Sequence, residues 1–196
     1  MREDGVATFY AKDSNAWRSW LEQNHTKEKS VWLIIYKKSS KTPSVTYDEA
    51  VDESLCFGWI DSKPNKRDAE SYYQFFAKRN TKSNWSKVNK DKVRRLLKEN
   101  RMRPAGLEMV AIAKKSGTWN ALDEVENLVI PDDLGMHFQK YPDAAINFEN
   151  FPKSVKRGIL EWILNAKRPE TRSKRIDETA KLAAANIRAN QFNPKK

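Results

Sequence analysis

The spacing of apolar residues changes once along this chain, near residue 84, and the change separates two kinds of structure. Before that point, short runs of β-branched and aromatic residues, such as residues 31–36 (VWLIIY) and 72–76 (YYQFF), are typical of strands. After it, most apolar residues recur at helical intervals. The pattern therefore predicts an α+β fold: a small, mostly antiparallel sheet with helices in the N-terminal part, followed by an all-α C-terminal part.

Two helices are predicted among these strands. Asp13 is a good N-cap for a helix over residues 14–24. Thr46 and Glu49 have the spacing of a capping box, and the helix that they begin would end at Gly58. The remaining predicted elements are a strand at 59–61, a basic loop at 62–70, a helix at 87–100 and a helix that begins at Pro104.

The predicted elements divide the chain into three regions. Residues 1–118 form an α+β domain, and residues 119–152, which are acidic and weakly periodic, form a linker with short helices. In residues 153–196, two apolar stripes at helical spacing are separated by Pro169, which predicts a helical hairpin. We expect the last residues, 192–196, to fray.

The net charge of +11 is unevenly distributed. Residues 1–62 carry a net charge of −2 and residues 63–103 carry +10, whereas residues 104–152 carry −5 and residues 153–196 carry +8. Basic surfaces attract anions, so the two basic blocks suit an acidic small molecule, an acidic protein surface or nucleic acid. The alternative is a solvated surface that keeps the protein in solution and pairs with the acidic segment.

Composition narrows the class of protein. Seven Trp, six Tyr and eight Phe argue against intrinsic disorder. No apolar run approaches the roughly 20 residues of a membrane helix. The N-terminal residues also lack the apolar stretch of a signal peptide, so we expect a cytoplasmic protein without membrane insertion. One cysteine, Cys56, and two histidines, His25 and His137, are too few for a disulfide or a metal site, so no metal and no cofactor is expected.

Arginines, hydroxyls and tryptophans between residues 59 and 86 are the strongest candidates for a binding site. Arginine binds carboxylate or phosphate through two hydrogen bonds, and an N-cap at Ser86 would turn backbone N–H groups toward the same anion. Trp59 and Trp85 would stack on a ring or a base. The alternative is that the tryptophans fill the core while the arginines pair with acidic residues. The candidate residues are Trp59, Asp61, Arg67, Arg79, Ser83, Trp85 and Ser86.

Four of the residues considered have competing interpretations. Asp61 is a general base or, more simply, a structural partner of an arginine. Arg172 and Arg175 share one face near the start of the last helix, where the helix dipole disfavours cations. They would close over the anion site or contact the acidic segment 123–133. Cys56, at the end of a helix, is interpreted as a buried core residue rather than a nucleophile.

Two stretches of sequence resemble a known family. The first is LCFGWID at residues 55–61, which continues through YQFF at 73–76 to Asn89, and the second is AKRPETRSKRI at residues 166–176. Over roughly residues 9–190 the chain resembles the YdeI/OmpD-associated proteins, also called the bacteriocin-protection family. The resemblance implies a bacterial source, an α+β N-terminal part, a helical C-terminal part and a link to bacteriocin resistance or an outer-membrane porin. It supplies no catalytic residues, and Lys78 stands where the family usually has proline.

Three functions remain open at this point. The first is a binding protein linked to bacteriocin protection or stress resistance, which recognises an acidic ligand or protein partner through the basic, Trp/Arg-rich site. The alternative is a nucleic-acid-binding protein that uses residues 63–103 and 153–196, although no helix-turn-helix, zinc-finger or RNP-type motif is present. An uncharacterised enzyme is the least favoured, because the sequence has no Gly-rich phosphate loop and no G-x-S-x-G motif.

Overall fold

The computed structural model describes residues 2–3 and 5–190, which belong to two compact units, Met1–Ala121 and Leu122–Lys196. Each unit has its own cluster of buried apolar side chains. The expected fraying of residues 192–196 lies outside the described residues.

The first unit is built on a five-stranded sheet. In chain order the strands are β1 Arg2–Glu3, β2 Val6–Tyr10, β3 Ser30–Tyr36, β4 Trp59–Lys66 and β5 Ser71–Lys78. Their order in the sheet is β1-β2-β3-β5-β4. β2 and β3 run parallel, whereas the other neighbouring strands run antiparallel. The sheet is therefore mostly antiparallel, and the predicted α+β fold class is confirmed.

The hairpin of β4 and β5 differs from the prediction. Residues 62–66 were expected to be a loop, but they continue β4 and pair with β5 as far as Lys66. Their polar sequence is compatible with a strand because β4 lies at the edge of the sheet, where lysine and proline are tolerated. A bulge between Asp61 and Pro64 interrupts the pairing. β1 and β2 are missing from the prediction because two and five residues are too few to show a period.

Helices of the first unit begin close to the residues that the sequence indicates. They are α1 Ser14–Asn24, α2 Tyr47–Cys56, α3 Lys87–Lys98 and α4 Pro104–Ser116. The Asp13 side chain caps α1 by accepting a hydrogen bond from the N–H of Ala16 at 2.8 Å. Thr46 and Glu49 form the predicted capping box of α2. Local capping signals therefore fix where these helices start.

The helices of this unit pack on one face of the sheet. Because strand residues alternate between faces, Val31, Leu33 and Ile35 of β3 all join the core that the helices cover, together with Phe76 of β5. Cys56 lies in the same core, and burial raises the pKa of its thiol. This position agrees with the interpretation of Cys56 as a core residue.

In the described part of the second unit, all regular elements are helices. They are α5 Asp123–Glu126, α6 Asp132–Phe138, α7 Ala144–Glu149, α8 Lys153–Leu164 and α9 Pro169–Ala184. Residues 119–152, which were expected to be an acidic linker with short helices, contain α5, α6 and α7. Val125, Leu134 and Phe148 of these helices are buried in one core with residues of α8 and α9. The short helices therefore add to the core of the second unit.

Among residues 2–3 and 5–190, no helix has both the length and the apolar composition needed to cross a membrane. Within the same residues, no group of three or more His, Cys, Asp and Glu side chains is arranged to hold a metal ion.

Candidate functional site

Arg79 follows directly after β5 and is held by contacts on several sides. Its backbone N–H donates to the carbonyl oxygen of Gly58 at 2.9 Å, just before β4 begins. Its Nη2 donates to the carbonyl oxygen of Asn84 at 2.6 Å, and its guanidinium carbon lies 3.8 Å from the centre of a Trp85 ring. Arg79 is only 7% exposed. These contacts fix the orientation of a buried guanidinium.

No carboxylate of the described residues forms an ion pair with the Arg79 guanidinium, although Asp61 attracts it from a longer distance. The Nε atom of Arg79 is buried and has no hydrogen-bond partner in this part of the chain. Burial lowers the pKa of Arg79 to about 10, and the charge of Asp61 opposes the shift. Arg79 therefore remains a cation at neutral pH, in a place where an unpaired cation is costly.

A cleft of about 390 Å³ lies beside Arg79. Gly58 forms part of its wall and has a φ of +72°, which glycine adopts without strain. A Cβ atom at Gly58 would lie 2.9 Å from the carbonyl oxygen of Ala105, so a larger residue would not fit. We call this space the Arg79 cleft; it is lined by His25, Thr26, Phe57, Gly58, Trp59, Lys78, Arg79, Ala105, Glu108 and Met109.

The polar lining of the Arg79 cleft favours a negatively charged ligand. Lys78 brings a second cation, whose Nζ donates to the carbonyl oxygen of Thr26 at 2.9 Å. Ala105 lies in the first turn of α4, and the N-cap residue Arg103 makes no side-chain hydrogen bond there. The start of α4 lies against the end of α2, where the backbone N–H of Arg103 donates to the carbonyl oxygen of Cys56 at 3.0 Å. Glu108 is an exposed acidic residue of the lining.

Both candidate tryptophans are part of the core. Trp59 is 1% exposed, its Nε1 donates to the carbonyl oxygen of His25 at 3.3 Å, and its ring meets that of Trp20 edge-on. Trp85 is 2% exposed and lies between Arg79 and Trp119, with a ring-centre distance of 5.0 Å to Trp119. The two tryptophans therefore shape the site as buried residues: Trp59 lines the cleft, and Trp85 packs against the Arg79 guanidinium.

The two serines shape the loop between β5 and α3. Ser83 Oγ donates to the carbonyl oxygen of Asn80 at 2.6 Å. Ser86 is the N-cap of α3, as its position before the helix suggested, and accepts a hydrogen bond from the N–H of Asn89 at 3.3 Å. Their hydroxyls thus fix the loop that places Asn84 against Arg79.

Asp61 and Arg67 have other partners. An oxygen of Asp61 accepts the hydroxyl proton of Tyr47 at 2.7 Å. Burial and this hydrogen bond raise the pKa of Tyr47. Arg67 Nη1 donates to Ser71 Oγ at 2.8 Å and to Asp68 at 3.0 Å. Arg67 follows the last residue of β4 whereas Arg79 contacts the start of that strand, so roughly 20 Å of strand separates the two arginines.

Arg172 and Arg175 are engaged within the second unit. Arg172 binds Asp133 with two hydrogen bonds, of 2.7 and 2.9 Å, and lowers the pKa of that carboxyl. Of the two interpretations of Arg172, contact with the acidic segment is therefore the one observed. Arg175 donates to the carbonyl oxygen of Trp162, and its guanidinium lies 4.9 Å from the ring centre.

Sequence reasoning missed several residues of the Arg79 cleft. His25 follows α1, Gly58 follows α2 and Lys78 ends β5, so only the folded chain brings them together. A local signal did exist for Gly58, which was predicted to end a helix. Nothing in the sequence connects that glycine with Arg79.

Two family models match parts of the chain. Residues 9–109 match a family described as "Domain of unknown function (DUF8412)", and this match spans just over half of the chain. Residues 127–186 match the family described as "Bacteriocin-protection, YdeI or OmpD-Associated", which confirms the predicted resemblance for this part of the chain. No curated protein and no solved structure matches the chain.

Proposed function

We propose that this protein, which belongs to the family described as a domain of unknown function (DUF8412), binds a small anionic ligand in the Arg79 cleft. One observation carries the proposal: the Arg79 guanidinium is 7% exposed, has an Nε without a hydrogen-bond partner in the described chain, and is paired with no carboxylate there. A bound anion would supply the missing negative charge.

The recognised group is a carboxylate or a phosphate. Arginine presents a planar fork of N–H donors that matches two oxygens of either group. Trp85 and Asn84 already fix the plane of the fork, so little side-chain entropy would be lost on binding. Lys78, beside Arg79 in the lining, would add a point charge that draws the anion in.

The other candidate residues have supporting roles in this proposal. Trp59 forms a wall, while Ser83 and Ser86 hold the loop that carries Asn84. Asp61 attracts Arg79 without forming an ion pair with it. The proposed site does not use Arg67, Arg172 or Arg175, because each of them has partners elsewhere.

We further propose that anion binding is the way in which this chain contributes to bacteriocin protection in the bacterial cytoplasm. The match over residues 127–186 supports the link, because the description of that family names bacteriocin protection. An acidic side chain of a protein partner would present the same carboxylate as a small ligand. The chemistry proposed for the Arg79 cleft is therefore shared by both sources.

A thermal-shift screen tests the proposal. The panel contains short carboxylates, sugar phosphates, nucleotides and an acidic peptide, each at low and moderate salt. A ligand present at about 100 times its dissociation constant stabilises the native state by about 2.7 kcal/mol. For a chain of this length the melting temperature should rise by about 5–10 °C. We expect one anion class to give a saturable rise.

Arg79→Lys is the decisive variant because it keeps a cation but removes the planar fork. It should abolish most of the rise in melting temperature. Arg94→Ala is the matched control, since Arg94 is an exposed arginine on α3 that pairs with Asp91. An equal rise in wild type and Arg79→Lys, or no rise with any anion, would contradict the proposal.

A further inference from the structure

The sheet face that points away from the helices carries aromatic rings. In β3, Trp32, Ile34 and Tyr36 alternate with the core residues of that strand and so lie on the opposite face. The antiparallel register places Phe75 beside Trp32 and Tyr73 beside Ile34. We call this surface the aromatic face and define it by Tyr10, Trp32, Tyr36, Tyr73 and Phe75.

Several of these rings are open to solvent while one lies beneath them. Tyr10 is 40% exposed, and Tyr36, Tyr73 and Phe75 are partly exposed. Trp32 is 2% exposed, and its ring centre lies 4.8 Å from that of Phe75. The Nε1 donor of Trp32 is buried and has no hydrogen-bond partner among the described residues.

Basic side chains lie directly over the aromatic face. The Arg67 guanidinium carbon is 5.9 Å from the ring centre of Tyr36 and 6.0 Å from that of Tyr73. The Nζ of Lys63 is 5.9 Å from a ring centre of Trp32. Cations therefore lie next to the partly exposed rings of Tyr36 and Tyr73 and to the buried ring of Trp32. Rings and cations side by side are the combination that binds a phosphate and stacks a base.

The turns at this end of the sheet add more positive charge. Lys37 and Lys38 follow β3, Lys66 ends β4, and all three are exposed. Asp68 and Glu70 are the acids of the turn between β4 and β5. Asp68 is already engaged: Oδ2 pairs with Arg67, while Oδ1 accepts the N–H groups of residues 70 and 71. Glu70 is exposed, so one acid stands against the three lysines. The charge left for a partner is therefore positive.

We infer that the aromatic face binds single-stranded nucleic acid. Exposed rings offer a stacking surface to unpaired bases, and Lys63 and Arg67 are placed to contact the backbone phosphates. A duplex does not fit this chemistry, because its bases are stacked on one another and unavailable to the protein rings. The site differs in residues and ligand from the Arg79 cleft, and neither proposal depends on the other.

Fluorescence anisotropy with a labelled single strand of about ten nucleotides tests the inference, with a duplex of the same length as competitor. We expect the full chain to bind the single strand, and the logarithm of the association constant to fall linearly with the logarithm of salt concentration. Tyr73→Leu, which keeps an apolar side chain but removes the ring, should weaken binding about tenfold. Arg67→Gln should weaken it and reduce the salt slope by about 1.

Two matched controls lie outside the aromatic face. Tyr141→Leu removes a partly exposed ring in the second unit, and Arg94→Gln removes an exposed arginine on α3. Both should leave the affinity unchanged, as should Arg79→Lys. If Tyr73→Leu lowers the melting temperature, its weaker binding has a structural cause. The affinity of Arg67→Gln, a variant at a partly exposed side chain, then decides the outcome. Absence of binding at low salt, equal competition by the duplex, or unchanged affinity in Arg67→Gln would overturn the inference.

Discussion

Buried charge is handled differently at two places in the first unit. On α2, Glu53 is 3% exposed and is paired with Arg18, at 2.6 Å, and with Arg101. After β5, Arg79 is 7% exposed and has no carboxylate partner among the described residues. We call Glu53, Arg18 and Arg101 the Glu53 cluster; in it, the protein itself compensates the buried charge of Glu53. Arg79 is not, and this difference separates a charge that stabilises the fold from one that is available to a ligand.

Asp52, next to Glu53, shows that cations of the basic residues 63–103 also stabilise the fold. It is buried and pairs with Lys92, at 2.8 Å, and with Arg95, both on α3. A net charge of +10 over residues 63–103 therefore does not describe one continuous binding surface. Burial together with the absence of an acidic partner, rather than charge alone, distinguishes Arg79.

Breaking the Glu53 cluster should have the largest effect on stability. Glu53→Gln removes the carboxylate that two arginines share, and leaves their charges close together and partly buried. We expect the free energy of unfolding to fall by about 3 kcal/mol. Urea unfolding measures it. Asp91→Asn, at a 53% exposed side chain that pairs with Arg94, is the control and should cost much less. Equal losses would show that burial does not matter here.

Adding a side chain between α2 and α4 tests how closely these two helices approach each other beside the Arg79 cleft. A Cβ atom at Gly106 would lie 2.3 Å from the carbonyl oxygen of Cys56, so Gly106→Ala must push the start of α4 away. We expect a loss of about 2 kcal/mol in unfolding free energy. Gly135→Ala is the control, because a Cβ atom there meets nothing within 4 Å. A neutral Gly106→Ala would contradict the close approach of the two helices.

Arg79→Met tests whether the charge of Arg79 contributes to the stability of the fold. It removes a buried charge that no described carboxylate pairs, and it keeps a long apolar stem against Trp85. We expect the free energy of unfolding to change by less than about 1 kcal/mol in either direction, because lost contacts are offset by relief of desolvation. Ligand-induced stabilisation should disappear. A loss as large as that of Glu53→Gln would mean that Arg79 is a structural residue.

Loss of the ion pair between Arg172 and Asp133 should have the smallest effect on the free energy of unfolding, and this effect depends on pH. Arg172 holds the pKa of the Asp133 carboxyl below its ordinary value. The stabilisation is therefore present above the ordinary pKa and is lost as the pH falls through the lowered value. Both side chains are partly exposed, so we expect about 0.5 kcal/mol.

Asp133→Asn provides the measurement for this pair. Urea unfolding of the wild type and the variant should differ near neutral pH and converge in acid. A difference in stability that persists below both the ordinary pKa and the lowered pKa of the Asp133 carboxyl would show that the ion pair is not its source.

The sequence predicts elements that carry local signals and misses those that depend on pairing. Thr46 and Glu49 indicate the start of α2 through a capping box, and Pro104 indicates the start of α4. Residues 62–66 carry no such signal, since their strand exists only because β5 lies beside them. The same holds for β2, which pairs with β3 across a helix.

The candidate site follows the same rule. Arg79, Ser83 and Trp85 are close in sequence, and the structure brings them together as one loop. Arg67 precedes Arg79 by 12 residues, but it lies at the turn between β4 and β5, whereas Arg79 lies at the open end of that hairpin. Sequence proximity within a loop is therefore informative, whereas proximity across a hairpin depends on register.

The Nε–H resonance of Arg79 reports on the proposed anion site. In isotope-labelled protein, this resonance can be followed by NMR while acetate or phosphate is added, with the resonances of Arg18 and Arg101 as internal references. The Arg79 signal should shift with saturation for at least one anion, while those of the Glu53 cluster stay in place. An Arg79 signal that never moves, or one that moves no more than the references, would contradict ligand binding in the Arg79 cleft.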